Sequence, residues 1–227
     1  MAKASFFTSS IGKKVIMGAT GLFLISFLVI HVSINSLIFL DLFYPNENGA
    51  AFNTAADFMS HNPVIRVLEI GLMAGLLAHA IQGIVLTLQN KKKRPVKYAV
   101  VDGKANSTWY SRSMGLLGTI LLLFLVVHLS DFWLPTKQAV FAGADHDTFE
   151  SIVVAFSSPL RVVIYLAGVA SLCFHLMHGF QSAFRTFGLA HKKYTPIITG
   201  AGKVFSIVVS ILFALMPILV YAGFITK

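Results

Sequence analysis

Charge is scarce in this chain. Only 12% of its 227 residues are Asp, Glu, Lys or Arg, and just 9 are acidic, whereas 56% are hydrophobic. A soluble domain needs a polar skin, so this balance points to a membrane protein. Cysteine is scarcer still. Cys173 alone can form no internal disulfide, and no C-x-x-C-H is present to attach a c-type haem covalently. Dinucleotide fingerprints and cluster-binding cysteine sets are also absent. The apolar runs do not alternate with polar residues, which argues against lipid-spanning strands.

What is present is length without charge. A spanning helix needs about 20 mostly apolar residues. Five segments meet that requirement: roughly 13–41, 63–89, 108–134, 159–188 and 196–224. The first reads as a retained span, being too long for a signal peptide and lacking a clear small-residue cleavage site. The expected fold is therefore all-α: one polytopic domain over 1–227 with five transmembrane helices. Cations sort the loops. Lys3, Lys13 and Lys14, then Lys91, Lys92, Lys93, Arg94, Lys97 and Lys104, then Lys192 and Lys193 fall on one side of a five-span chain. Asp41, Glu47, Asp57, Asp145, Asp147 and Glu150 fall on the other. The positive-inside rule then places the N-terminus in the cytoplasm. The basic cluster reads first as a topology signal, and also as a surface for anionic lipid or an acidic partner. No base-reading module accompanies it, so no nucleic-acid partner is expected.

The chain repeats itself at a spacing of about 96 to 97 residues. FLVIHVS (27–33) recurs as FLVVHLS (124–130), and Met17-Gly18 and Gly21 recur as Met114-Gly115 and Gly118. Pro63, His79 and Gly83 of the second span match Pro159, His175 and Gly179 of the fourth. Each proline suits a first helical turn. Spans one and two thus form a unit repeated as spans three and four, and span five has no histidine.

Helical rise gives the histidines a depth. His31 lies 17 residues after Lys14 and His128 lies 16 after Arg112, which puts both about 25 Å above the cytoplasmic ends of their spans. His79 lies 12 residues before Lys91 and His175 lies 10 before Arg185, which puts both about 15–18 Å above that side. An outer pair, His31 with His128, and an inner pair, His79 with His175, are expected. Two imidazoles from facing helices can clamp a b-type haem iron from both faces, and saturating both axial positions favours electron transfer over oxygen chemistry. A single intramembrane histidine reads as readily as an interhelical hydrogen-bonder; four paired by depth and repeat favour iron ligands. Zinc is the weaker alternative, since it takes four ligands in structural sites. Gly21, Gly71, Gly75, Gly83, Gly115, Gly118, Gly168 and Gly179 are candidates for making room for a macrocycle, and Ser33 and Ser130 for lining it. His178, one turn from His175, corresponds in the repeat to Gln82 and is left to contact a propionate, a quinone or nothing. His61, His146 and His191 read as loop residues.

These residues resemble a known family. Five spans with histidines in the first four look like the dihaem cytochrome b subunit of succinate dehydrogenase and fumarate reductase. The stretches that carry the resemblance are FLVIHVSIN (27–35), AAFNTAADFMSHNPVIRVLEI (50–70), LLAHAIQG (76–83), VVHLSDFW (126–133) and SSPLRVVIYLAGVASLCFHLMHGF (157–180). The second is particularly similar to single-subunit anchors of menaquinone-linked bacterial complexes. The resemblance implies two haem b groups between the first four helices of a multi-pass protein in the bacterial inner membrane. His31 and His128 would hold the distal haem, and His79 and His175 the proximal one. A flavoprotein subunit and an iron–sulfur subunit would dock on the cytoplasmic face and carry the dicarboxylate chemistry. Electrons from succinate would reach a quinone, with menaquinone the expected one. The alternative within the family is a fumarate reductase oxidising quinol. Some of those enzymes carry a glutamate two residues before the span-four ligand, associated with proton movement; Cys173 stands there instead, which favours succinate oxidation.

A quinone site needs groups that donate and accept protons beside an apolar slot. Arg66, Glu69, Asp131 and Arg161 lie near the outer ends of their spans and form the candidate set. Arg66 with Glu69 reads equally as a local helix ion pair, and Asp131 as a solvated helix end. A reading from a different class, a membrane transporter, would fit the repeat, but transporters break helices at mid-membrane. No proline interrupts the middle of spans one to four.

Overall fold

A computed structural model describes residues 9–44, 47–92 and 107–227. Lys3, Lys93, Arg94, Lys97 and Lys104, which contribute to the charge argument, lie outside the described residues. Helix α1 (Ser10–Asn35) is started by the Ser9 side chain, which accepts a hydrogen bond from the Gly12 N–H, and continues as a 3-10 segment, Ser36–Leu42. Helix α2 (Ala50–His61) turns at Asn62 into α3 (Pro63–Lys92), where Asn62 Oδ1 accepts from the N–H groups of Val64 and Ile65. A short helical turn at Trp109–Arg112 precedes α4 (Met114–His128). A π-helical turn, Leu129–Trp133, joins α4 to α5 (Leu134–Ala142). Then follow α6 (Thr148–Phe156), α7 (Pro159–Thr186) and α8 (Thr195–Tyr221).

Among the described residues, five continuous helical stretches are long and apolar enough to cross a membrane: Ile11–Leu42, Pro63–Lys92, Met114–Ala142, Pro159–Thr186 and Thr195–Tyr221. The protein is a multi-pass all-helical membrane bundle, as its composition predicts. The third span differs most from expectation. It starts at Met114 because the chain breaks at Ser113, and it runs past Pro135 to Ala142. Pro135 sits in the first turn of the restarted helix, where a missing N–H is tolerated. Gly143, with φ of 65°, then closes the helix in the left-handed region. Helices α2 and α6 were not foreseen as elements, and His61 belongs to α2 and not to a loop.

The first four spans form a ring. α1 packs on α3, α3 on α4, α4 on α7 and α7 on α1, so α1 faces α4 across one diagonal and α3 faces α7 across the other. α8 packs outside the ring against α7 and α1. Along α3, Val64, Val67, Leu68, Ile70, Leu77, Ile81, Ile84 and Leu88 are exposed. In water such a stripe would be a liability; in a membrane, lipid covers it.

The two ends of the bundle differ in chemistry. At the basic end, Lys13 donates to Gln89 Oε1 at 3.1 Å, joining the start of α1 to the end of α3. The acidic end carries a buried core, with Ile38, Phe52, Phe149, Phe156, Tyr165, Met216 and Ile225 in one cluster. Here Asp41 Oδ1, buried, accepts from the Gly49 N–H. Gly49 has a φ of 73° and lies against the Phe149 ring, so both its backbone and its surroundings exclude a side chain. Asn53 bridges α2 to α6 by donating to Asp147 and accepting from the Phe149 N–H, each at 2.9 Å. Burial alone would raise the Asp147 carboxyl, but hydrogen bonds from the Glu150 N–H, Asn53 and Lys227, with the Lys227 charge, hold it below the usual carboxylate range.

Candidate functional site

The four expected ligands come together as two pairs inside the ring. The rings of His31 on α1 and His128 on α4 have centres 5.8 Å apart. Those of His79 on α3 and His175 on α7 have centres 6.1 Å apart. Each pair therefore spans one diagonal of the four-helix ring. An imidazole nitrogen lies about 2 Å from a first-row metal and the ring centre about 1 Å further, so two rings on opposite sides of one metal have centres about 6 Å apart. Both separations match that value. Among the described residues, no group of three or more His, Cys, Asp or Glu converges on one point. Each pair thus offers two axial donors, the number a porphyrin-held iron requires, and not a tetrahedral set.

Two further observations fit the residues to a haem. Nδ1 of His128 and Nδ1 of His175 are buried with no hydrogen-bond partner among the described residues. Neither ring is held by those residues at Nδ1, so each is free to present Nε2 to an iron. Gly21 and Gly118, equivalent in the repeat, face the inner pair: a Cβ would stand 3.6 Å from His79 Cε1 at the first and 3.8 Å from His175 Cε1 at the second. The other candidate glycines divide. Gly75, Gly115 and Gly168 receive neighbouring side chains (Phe23, Thr87 and Phe124, respectively), so they serve helix packing. Gly83 has only the tip of Met17 nearby, while Gly71 and Gly179 have nothing within 4 Å of where a Cβ would stand. Ser33 is exposed and bonds back to the Val29 carbonyl, and Ser130 is exposed.

The outer pair sits among aromatic rings. Phe27 stacks on His31 at 5.1 Å and its repeat counterpart Phe124 lies 5.7 Å from His128. Phe213 of α8 lies 5.5 Å from His31, so the fifth span contributes a wall although it has no histidine. Phe132 and Tyr165 complete the surroundings of His128. Nitrogen partners differ between the rings: Nδ1 of His31 meets the Asn35 amide at 3.2 Å, and Nδ1 of His79 meets Thr20 Oγ1 at 3.1 Å. It is His175 whose ring faces His79; His178 lies one turn further along α7 and is half-buried.

The polar residues near the outer ends form two clusters. Asp131, whose side chain is 8% exposed, pairs with Arg161 and accepts a hydrogen bond from the Tyr165 hydroxyl at 3.0 Å. It is not a solvated helix end: the π-helical turn directs it onto α7. Such turns are frequent at functional sites. Glu69 accepts from Trp133 Nε1 and from Lys137 Nζ, each at 2.5 Å. Among the described residues its ion-pair partner is thus Lys137 and not Arg66, which lies 5.5 Å over the Phe141 ring. Sequence reasoning missed Tyr165, Trp133 and Lys137. The signal for Tyr165 was its place one turn after Arg161. Lys137 lay beyond the expected end of the third span.

Comparison with known proteins finds no matching family model and no matching solved structure. It finds a relative in Bacillus subtilis (strain 168), the succinate dehydrogenase cytochrome b558 subunit, 28% identical over 164 residues, which is 72% of each chain.

Proposed function

We propose that this chain is the cytochrome b membrane-anchor subunit of a succinate dehydrogenase in the bacterial cytoplasmic membrane, with His31 and His128 binding one b haem and His79 and His175 the other. The observation that carries this reading is the meeting of two histidine pairs across the diagonals of one four-helix ring, at separations that suit a single iron between each pair. The similarity to the Bacillus subtilis subunit supports the same reading. A haem held at each pair would supply one-electron transfer between the inner and outer halves of the membrane. The protein's part is to hold two neutral imidazoles per centre, to enclose the outer pair in aromatic rings, and to keep water away. Two histidines at each centre would favour electron transfer over oxygen chemistry. The N-terminus and the Lys91–Lys92 and Lys192–Lys193 segments would face the cytoplasm. Flavoprotein and iron–sulfur partners would dock there and carry the dicarboxylate chemistry, since the sequence has no dinucleotide fingerprint and no cluster-binding cysteine set.

Quinone, with menaquinone the expected form, would react near the outer pair. Asp131 Oδ2 accepts the Tyr165 hydroxyl and Oδ1 pairs with Arg161, so this cluster offers hydrogen-bond donors and an acceptor beside an apolar wall. Glu69 with Lys137 and Trp133 forms the second candidate, and Arg66 lies over the Phe141 ring. His178 is assigned no ligand role.

The test is a reduced-minus-oxidised spectrum of the complex purified through this chain. Two b-type components and co-purifying flavoprotein and iron–sulfur subunits are expected; absence of b-type bands would sink the proposal. Asp131→Asn, Glu69→Gln, Arg66→Gln and Arg161→Gln variants, assayed for succinate:quinone reductase activity per haem, locate the quinone site. A fall of about 100-fold is expected for Asp131→Asn if it acts in proton transfer. Full activity in all four variants would reject an outer site built from these residues.

A further inference from the structure

The two inner histidines are equivalent in the repeat, yet their hydrogen bonding differs. Thr20 Oγ1 lies 2.8 Å from the Ile16 carbonyl oxygen and 3.2 Å from that of Met17, and 3.1 Å from His79 Nδ1. A hydroxyl has one hydrogen and two lone pairs. Its hydrogen is directed to the carbonyls of its own helix, so towards His79 it presents a lone pair. The contact is then Nδ1–H donating to Thr20 Oγ1. That fixes the tautomer of His79 and leaves Nε2 as the nitrogen with a lone pair to give.

The repeat shows that this is not a by-product of helix packing. Gly21 and Gly118 occupy matching places against His79 and His175. One residue earlier, Thr20 is matched by Leu117, which has no hydroxyl. The Leu117 carbonyl is taken by the Ser171 hydroxyl at 2.9 Å, and His175 Nδ1 has no partner among the described residues. The small residue is common to both units and the hydrogen-bond acceptor is present in one.

On the haem reading above, we propose that Thr20 is a positioning residue that sets the tautomer and donor strength of His79, making the two axial ligands of the inner centre unequal. A ligating histidine whose remaining N–H is hydrogen-bonded is better oriented and more basic. A more basic ligand favours the oxidised iron, so Thr20 lowers the reduction potential of the inner centre. The rival account is that Thr20 only bonds back to its own helix, as threonines in apolar helices do; it predicts no effect on potential.

The experiment uses the full complex with Thr20→Val, which keeps the shape and removes the acceptor, and Thr20→Ser, which keeps the acceptor. Redox titration followed at the b-type bands reads each component, and the inner one is identified as that lost in His79→Ala. Thr20→Val is expected to raise the inner potential by about 59 mV, the one-electron equivalent of a tenfold change in the ferrous-to-ferric ratio. The outer component should stay in place and Thr20→Ser should match the parent. Loss of the inner component in Thr20→Val but not in Thr20→Ser also supports the assignment. An unmoved inner potential in Thr20→Val, movement of the outer component, or equal effects of both substitutions overturns it. A parent complex without two b-type components fails the functional reading itself, a result separate from every Thr20 outcome.

Discussion

Replacing His128 by alanine is expected to remove one b-type component and leave the other at its original potential. His31→Ala should lose the same component. His79→Ala and His175→Ala should each lose the other one, and His178→Ala should keep both. The reason is geometric. His31 and His128 face each other across one diagonal, and His79 and His175 across the other, so on the proposed reading each centre would depend on two residues from opposite helices. A b-type haem has no covalent tether, and its axial bonds are its principal attachment. Removing even an outer-shell partner of a metal ligand typically costs 10–100-fold in affinity, so removing a ligand should empty the centre during purification. Pyridine haemochrome analysis should fall from about two haems per chain to about one. Loss of one shared component in His31→Ala and His79→Ala would contradict the pairing.

Arg161→Leu should destabilise the outer half of the bundle by about 2–3 kcal/mol. Breaking a buried ion pair by removing one partner costs roughly 3–5 kcal/mol, because the other charge is left without compensation. Asp131 is that remaining charge, and its side chain is 8% exposed. The expected value lies below that range for two reasons: Arg161 is 39% exposed and its charge is partly screened by water, and the Tyr165 hydroxyl still bonds Asp131. Thermal unfolding in detergent, followed at the outer b-type component, measures this. Combining Arg161→Leu with Asp131→Asn should recover part of the loss, since no lone charge then remains and the amide oxygen can still accept from Tyr165. A double variant as unstable as the sum of its two single variants would show that the pair contributes nothing as a pair.

Several features of this protein are local along the chain, and those were legible in its residues. Apolar length located five spans because the hydrocarbon layer sets a minimum run. The repeat and the helical rise sorted four histidines into an outer and an inner pair, because depth depends only on distance along a helix. The equivalence of Pro63 and Pro159 pointed to His175, and it is His175 whose ring meets His79. Other features depend on how the helices are rotated against each other. Gly168 sits in an apolar run like any haem-lining glycine, yet it receives the Phe124 ring. Glu69 lies three residues from Arg66 and bonds instead to a lysine on another helix. The third span continues through Pro135 because a π-helical turn restarts the helix just before it.

Membrane residence, five spans and two histidine pairs were therefore decided by the sequence alone, through the burial of apolar length and the periodicity of a helix. The diagonal arrangement of those pairs, the turn of Asp131 towards Arg161 and Tyr165, and the hydrogen bond that singles out His79 from His175 were decided only in the tertiary structure. The physical reason is that a side chain's partner across a helix interface depends on the axial rotation and register of both helices, and neither is recorded in the local pattern of one.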